Sequence, residues 1–178
     1  MVINGKHLLA LQPILEMEPS KKQVHGTSYG LAEAGYDIRI KQSVLFHPHG
    51  YPEWSDGPCV ATKWREEDGS QRGEFRHGRF ALASAIEEFR MPNNLVGIVH
   101  DKSTWARKGL SVFNTVIEPG WNGFLTLELV YHGNDTLTIP AGSGIAQVLF
   151  HELQSPGAYE GKYQNQKDEP VHAKFNPQ

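Results

Sequence analysis

The 178-residue sequence contains one cysteine, Cys59. A lone thiol excludes an intrachain disulfide framework and points to a reducing compartment. There is no excess of positive charge: 17 Lys and Arg stand against 20 Asp and Glu, a formal net charge of -3. No broad basic field is therefore available to wrap duplex nucleic acid. No apolar run reaches the ~18 residues of a membrane span, and the N-terminus lacks the basic stretch and apolar core of a secretion signal. A soluble, cytoplasmic protein is the expectation. What the chain does have is punctuation, with 18 glycines and 11 prolines, which suits many short strands and tight turns. Hydrophobic residues at 39% and charged ones at 21% make a packed core feasible in a chain of one domain.

Period two dominates the hydrophobic pattern. Tyr36 to Ile40, Leu125 to Leu129 and Leu137 to Ile139 alternate, and Ile145 to Phe150 reads as a buried strand. Lys63-Trp64-Arg65 and Glu74-Phe75-Arg76 enclose Asp68-Gly69 and Arg72-Gly73, a hairpin pattern. Two stretches favour helix. Asn4 to Leu11 has a capping residue and ends before Pro13; Ala83 to Arg90 carries Ser84 and Glu87 at capping-box spacing before Pro92. From Tyr159 the chain is polar and aperiodic, a tail that is either disordered or ordered by a ligand. The expected architecture is mainly β, closed as a barrel or roll to hide its edges. Residues 1–158 form one domain with an insertion at about 46–78, and 159–178 form the tail.

Two places stand out chemically. Asp101 to Leu110 crowds Lys102, Ser103, Thr104, Arg107 and Lys108 onto one short segment; hydroxyls, cations and backbone amides in that density make either a phosphate cradle or a solvated turn. Glu128 lies inside the strand that follows the turns Pro119-Gly120 and Asn122-Gly123. A carboxylate there is either exposed on a polar face or poised in a pocket with a raised pKa, and pattern alone favours exposure. The region from Phe46 to Gly78 is harder to place. His47, His49, Cys59 and His77 supply imidazole and thiolate, which suit zinc, but the spacing on a Pro-flanked loop is loose. The plainer reading is a surface insertion held down by Trp54 and Trp64 or serving an oligomer interface, and no metal site is assigned.

The order of segments resembles the trimeric dUTPase superfamily, and within it the dCTP deaminases. The resemblance rests on Gly35-Tyr36-Asp37-Ile38-Arg39, Phe80 to Ser84 with Glu87-Glu88-Phe89 and Pro92, and Leu95-Val96-Gly97. It continues through Lys102 to Leu110, Ile117 to Trp121 and Gly123 to Leu129, then Pro140-Ala141-Gly142, Ile145-Ala146-Gln147 and Tyr159 to Gln166. It spans roughly residues 30 to 166 and skips the insertion. It implies a dUTPase-like distorted barrel with a short N-terminal helix, assembled as a homotrimer with sites between subunits.

The pair Leu127-Glu128 resembles the deaminases rather than the dUTPases, and this implies that Glu128 is the general acid/base of a hydrolytic deamination, most simply dCTP to dUTP and ammonia. A single cysteine also excludes the paired-cysteine zinc signature of other nucleobase deaminases. On the same resemblance Ser103 orients the water, helped by a backbone carbonyl at Thr115 or Val116, and Arg107 stands beside the catalytic carboxylate. Lys102 and Thr104 contact the triphosphate, Mg²⁺ rides on that triphosphate, and Tyr159, Lys162 and Gln166 close over the nucleotide.

Two departures bear on the alternatives. Lys102 replaces an arginine common in the family, and Glu118 replaces an Asp that in dUTPases activates water. Gln147 resembles the dUTPase and bifunctional versions of its strand. A dUTP pyrophosphatase, a bifunctional deaminase and a catalytically silent nucleotide-binding regulator are therefore the rival readings.

Overall fold

The structure, a computed structural model, describes residues 1–49, 59–65, 71–77 and 79–175, with 59–65 and 71–77 described by backbone alone. The chain opens with the short strand Val2–Ile3 (β1) and the helix Gly5–Leu11 (α1). Lys22–Val24 (β2), Thr27–Leu31 (β3), Tyr36–Arg39 (β4), Ser43–His47 (β5), Cys59–Arg65 (β6) and Gln71–His77 (β7) follow. Then come Phe80–Arg90 (β8), Leu95–Asp101 (β9), the single-turn helix Ser103–Ala106 (α2), Leu110–Val112 (β10) and Val116–Ile117 (β11). Asn122–Tyr131 (β12), Leu137–Ile139 (β13) and Gly144–Glu152 (β14) complete the set. The expected β class and the N-terminal helix are both present.

Among the described residues the strands make three sheets. The largest runs β11-β9-β14-β4-β3-β2 with β1 added on β14; the second is β10-β12-β8; the third is β13-β5-β6-β7. An isolated bridge from Ile40 to Ala85 carries the end of β4 onto β8, so the large sheet leads directly into the one that holds Glu128. One continuous core fills the space between, with Tyr36, Ile38, Phe46, Phe89, Leu127 and Phe150 each at most 1% exposed. At about 25 cal/mol per Å² such residues supply the main drive for folding.

The α1 prediction holds, for a reason only partly anticipated. Leu8 is fully buried, Gln12 takes a left-handed conformation at φ 45°, and its N–H closes on the Leu8 carbonyl at 3.1 Å. Pro13 then cannot continue the helix. The Asn4 side chain does not cap it; its amide donates to the Glu33 carbonyl at 2.8 Å. The second helix prediction is wrong: residues 83–90 belong to the strand β8. The residues that imitate a capping box are engaged elsewhere. Ser84 exchanges two hydrogen bonds with Gln42, at 2.7 and 2.8 Å, and Glu87 accepts from Arg39. Buried cross-strand partners outweigh a local cap worth about 1 kcal/mol. Trp54 lies outside the described residues, and Cys59, Trp64 and His77 are placed by backbone only. The hairpin pattern around Lys63 to Arg76 is realised as β6 and β7.

Candidate active site

Strand β12 pairs with β8 along most of its length, Glu128 opposite Leu82, and with β10 at its end. Leu125, Leu127 and Leu129 bury one face of the strand, and Thr126 is buried on the other, so that face is partly covered too. Glu128 is half-buried rather than exposed. Its Oε2 is shielded from solvent and has no hydrogen-bond partner among the described residues. Loss of hydration pushes the carboxyl pKa above its ordinary value, opposed only by its own backbone N–H. A carboxyl so placed holds a proton more readily than a surface carboxylate does, which suits it to accept one and give it back.

Glu128 opens into a cavity of about 470 Å³. Thr115, Val116, Glu118, Tyr159 and Gln166, all predicted site residues, share its lining. Pattern reading missed Thr126, Trp121, Tyr163 and His172, which line it too. Thr126 was visible as the alternate position two before Glu128 on one strand; His172 had no signal beyond its membership of the tail. The Thr115 carbonyl accepts the Val99 N–H at 3.1 Å, so one of the two candidate carbonyls already holds a strand bond.

The tail is drawn onto β12 at a position only glycine allows. Gly123 has φ 128°, and a Cβ there would sit 2.5 Å from the Gln166 nitrogen and 2.6 Å from its oxygen. The two residues form a parallel bridge, and the Phe124 N–H donates to the Gln166 carbonyl at 3.1 Å. Thr126 Oγ1 donates to Gln166 Oε1 at 3.2 Å and accepts the Val171 N–H at 3.0 Å. Trp121 Nε1 holds the Tyr163 carbonyl at 2.6 Å. Lys162 is exposed beside the Tyr163 and Phe175 rings and lies outside the cavity lining.

The other predicted residues sit elsewhere on the chain. Lys102, Ser103, Thr104 and Arg107 belong to the α2 segment, which Trp105 anchors by donating to the Gly144 carbonyl at 2.7 Å. Ser103, Thr104 and Arg107 are exposed, and none of the four lines the Glu128 cavity. Lys102 is engaged: its ammonium donates to the Asp37 carboxylate and, at 2.9 Å, to Ser28 Oγ. Ser28 and Gln147 also donate to Asp37, at 2.7 and 3.1 Å. Among the described residues lining the cavity there is neither Lys nor Arg. Exposed Phe80, Phe113 and Val116 sit close by, Phe80 and Val116 in the lining itself and the Phe113 ring 6.2 Å from that of Phe80. One chain therefore carries a desolvated carboxylate in an apolar cavity, and its cations on a separate segment.

The dCTP deaminase-like family model matches residues 12–153. The chain belongs to that family. It is 37% identical over 148 residues to the dCTP deaminase of Protochlamydia amoebophila, covering 78% of this chain and 77% of that one. It is 35% identical over 171 residues to the dCTP deaminase of Helicobacter pylori strain P12, covering 88% and 85%. Among solved structures, the EIAV dUTPase aligns over 80% of this chain and 90% of its own at 15% identity, with a TM-score of 0.48. The dUTPase of Staphylococcus bacteriophage 80alpha gives 16% identity, 80% and 88% coverage, and a TM-score of 0.48. In this dCTP deaminase-like chain, no described helix is long and apolar enough to cross a membrane.

Proposed function

We propose that the protein is a dCTP deaminase, hydrolysing dCTP to dUTP and ammonia, and that Glu128 is its general acid/base. The observation that carries this is Glu128 itself, a residue in the cavity lining whose Oε2 is buried with no hydrogen-bond partner among the described residues. Water attacks C4 of cytosine; its proton passes to Glu128 and on to N3 of the ring. The new hydroxyl then yields its proton through Glu128 to the amino group, the C4–N bond breaks, and ammonia leaves with Glu128 again a carboxylate. Ser103 and a carbonyl at Thr115 or Val116 hold the water, and Arg107 lies beside the carboxylate.

The working unit is a homotrimer with sites shared between copies. A triphosphate carries several negative charges, and the cavity wall offers no Lys or Arg among the described residues. Lys102 and Thr104 of a neighbouring copy meet that need, and the same docking covers Phe113 and Val116. Mg²⁺ accompanies the triphosphate and lowers its charge. Residues 1–158 act as the barrel and 159–178 as the closing tail, with Tyr159, Lys162 and Gln166 on the nucleotide. Cytoplasmic residence fits the single thiol.

Mixing tests the shared site. Glu128→Gln and Ser103→Ala proteins, each inactive alone, regain ammonia release from dCTP when co-assembled, since some sites then hold both wild-type residues. If every site lay within one chain, mixing would restore nothing. Deleting the residues after Gly157 leaves the barrel folded and raises KM for dCTP about tenfold or more; an unchanged KM would remove the tail from the site.

A second reading has one observation in its favour: Glu118, like Glu128, lines the cavity. A second carboxylate is what a bifunctional enzyme needs to activate a water against the α-phosphorus. Glu118 is one methylene longer than the Asp of the resembled dUTPases, about 1.5 Å of reach, enough to spoil in-line alignment, so dUTP is the expected product. A time course with dCTP and Mg²⁺ that releases pyrophosphate in step with ammonia would favour the bifunctional reading.

A further inference from the structure

The segment from Phe46 to Gly78, which the resemblance skips, brings three metal-ligating residues into one row. In the β5-β6-β7 part of its sheet, His47 pairs directly with Cys59, and Cys59 pairs directly with His77. Residues directly opposite one another on antiparallel strands share a face of the sheet. The three positions therefore lie side by side on one face, on three adjacent strands. Neighbouring strands are about 4.8 Å apart, which puts the outer two positions roughly 10 Å from each other.

That row has the shape a single ion requires. A cysteine position stands at the centre, and a histidine position lies one strand spacing to either side of it. Thiolate and imidazole are the donors Zn²⁺ prefers, at about 2.3 Å for sulfur and 2.0–2.1 Å for nitrogen. A fourth donor is near. His49 stands two residues past His47, exposed in the turn that follows β5. Along the chain the spacing of these residues is too loose to mark a site. The strand register supplies the constraint that spacing lacked.

The row also lies where an ion has structural value. Cys59 begins β6 and His77 ends β7, so the pair closes the base of the hairpin, and His47 ties that base to β5. Among the described residues β7 is an edge strand, paired only with β6, and edges are otherwise held by little.

We propose that His47, Cys59 and His77, with His49 as the fourth ligand, form a structural zinc site that staples β5, β6 and β7 at the base of the insertion. It is separate from Glu128 and stands whether or not the protein deaminates dCTP. The test uses the purified full-length chain with Zn²⁺ or Co²⁺ alone. The expected result is one Zn²⁺ per chain retained through dialysis. Co²⁺ should give a near-ultraviolet thiolate-to-metal charge-transfer band together with tetrahedral d–d absorption. Cys59 is the chain's only cysteine, so the charge-transfer band can have no other source. Cys59→Ser should abolish it, and His47→Ala or His77→Ala should weaken Co²⁺ binding at least tenfold, while His132→Ala, outside the row, leaves both unchanged. Protease cutting between residues 59 and 77 should slow on adding Zn²⁺ to the wild type and not to Cys59→Ser. Substoichiometric Zn²⁺ after dialysis, Co²⁺ spectra without the sulfur band, or a band that survives Cys59→Ser would each overturn the proposal.

Discussion

Glu87 and Glu128 are carboxylates on two strands that pair with each other, β8 and β12, yet their surroundings differ in kind. Glu87 is 5% exposed, and both of its oxygens are taken: Oε1 accepts Arg39 Nε at 2.8 Å and Oε2 the Arg39 backbone N–H at 2.8 Å. Arg39 in turn stacks on Tyr29, 4.5 Å from the ring centroid. Glu128 faces a cavity with one oxygen unpartnered. Burial pushes both carboxyls above their ordinary pKa; Arg39 pulls Glu87 part of the way back, and no cation does so for Glu128. The difference separates construction from chemistry. A buried charge with a full set of partners is fixed in place, whereas a desolvated one without them is free to exchange protons.

The sharpest way to break the comparison is to remove the paired carboxylate. Glu87→Ala leaves the Arg39 guanidinium half-buried without its partner, and loss of one member of such a pair costs about 3–5 kcal/mol. Urea unfolding should show the midpoint falling with an unchanged slope. A loss below about 1 kcal/mol would mean that Arg39 finds solvent at once, and that the pair contributes as little as a surface one.

Glu128→Gln should have the opposite profile. The variant keeps shape and hydrogen bonding but cannot take a proton, so kcat for ammonia release from dCTP should fall by about 10²-fold or more, roughly 2.7 kcal/mol of barrier, with nucleotide binding retained. Near wild-type turnover would remove Glu128 from the chemistry and make both carboxylates structural.

The sequence made this contrast legible unevenly. Strands β4, β12 and β13 followed from alternation and β14 from its apolar run, and the covered face of β12 could be read from Leu125, Leu127 and Leu129. The choice of pocket over surface for Glu128 came from the resemblance and not from periodicity, because a half-covered strand gives a carboxylate the same pattern in either setting. Glu87 was misread as part of a capping box, since its partner Arg39 lies 48 positions away and local spacing carries no trace of it. Asp37 was quoted within a motif but given no role, and its engagement of Lys102 is again a long-range fact. The split of the predicted site between the cavity and the α2 segment could not have been read from the order of motifs along the chain.

Lys102 and Asp37 form an intermediate case that sharpens the comparison. Asp37 is buried like Glu87, but its cation is one that the proposed function assigns to substrate phosphate. Lys102→Met should cost about 1–3 kcal/mol of stability, the price of leaving a buried acceptor short of a donor, moderated by Ser28 and Gln147. It should also raise KM for dCTP. Lost stability with unchanged KM would assign Lys102 to the barrel alone, alongside Arg39.

The smallest effect tests the physical cause of the Glu128 shift directly. Its folded pKa lies above the unfolded value because burial disfavours the charged form. The folded state therefore binds the proton more tightly than the unfolded chain does, and the wild type gains from that group at low pH. The gain is complete below the ordinary carboxyl value of about 4.5. It is lost as pH rises through the elevated folded pKa, and above that point the fold carries a desolvated carboxylate. Glu128→Gln has no charge to desolvate. Its Tm should match the wild type near pH 4, rise above it across that window, and stay higher by a few degrees at pH 8, a stability gained where activity is lost. Scanning calorimetry at several pH values measures the gap. A gap that is flat from pH 4 to 8 would show that Glu128 is as well solvated as a surface carboxylate, and the desolvation it shares with Glu87 would no longer account for its chemistry.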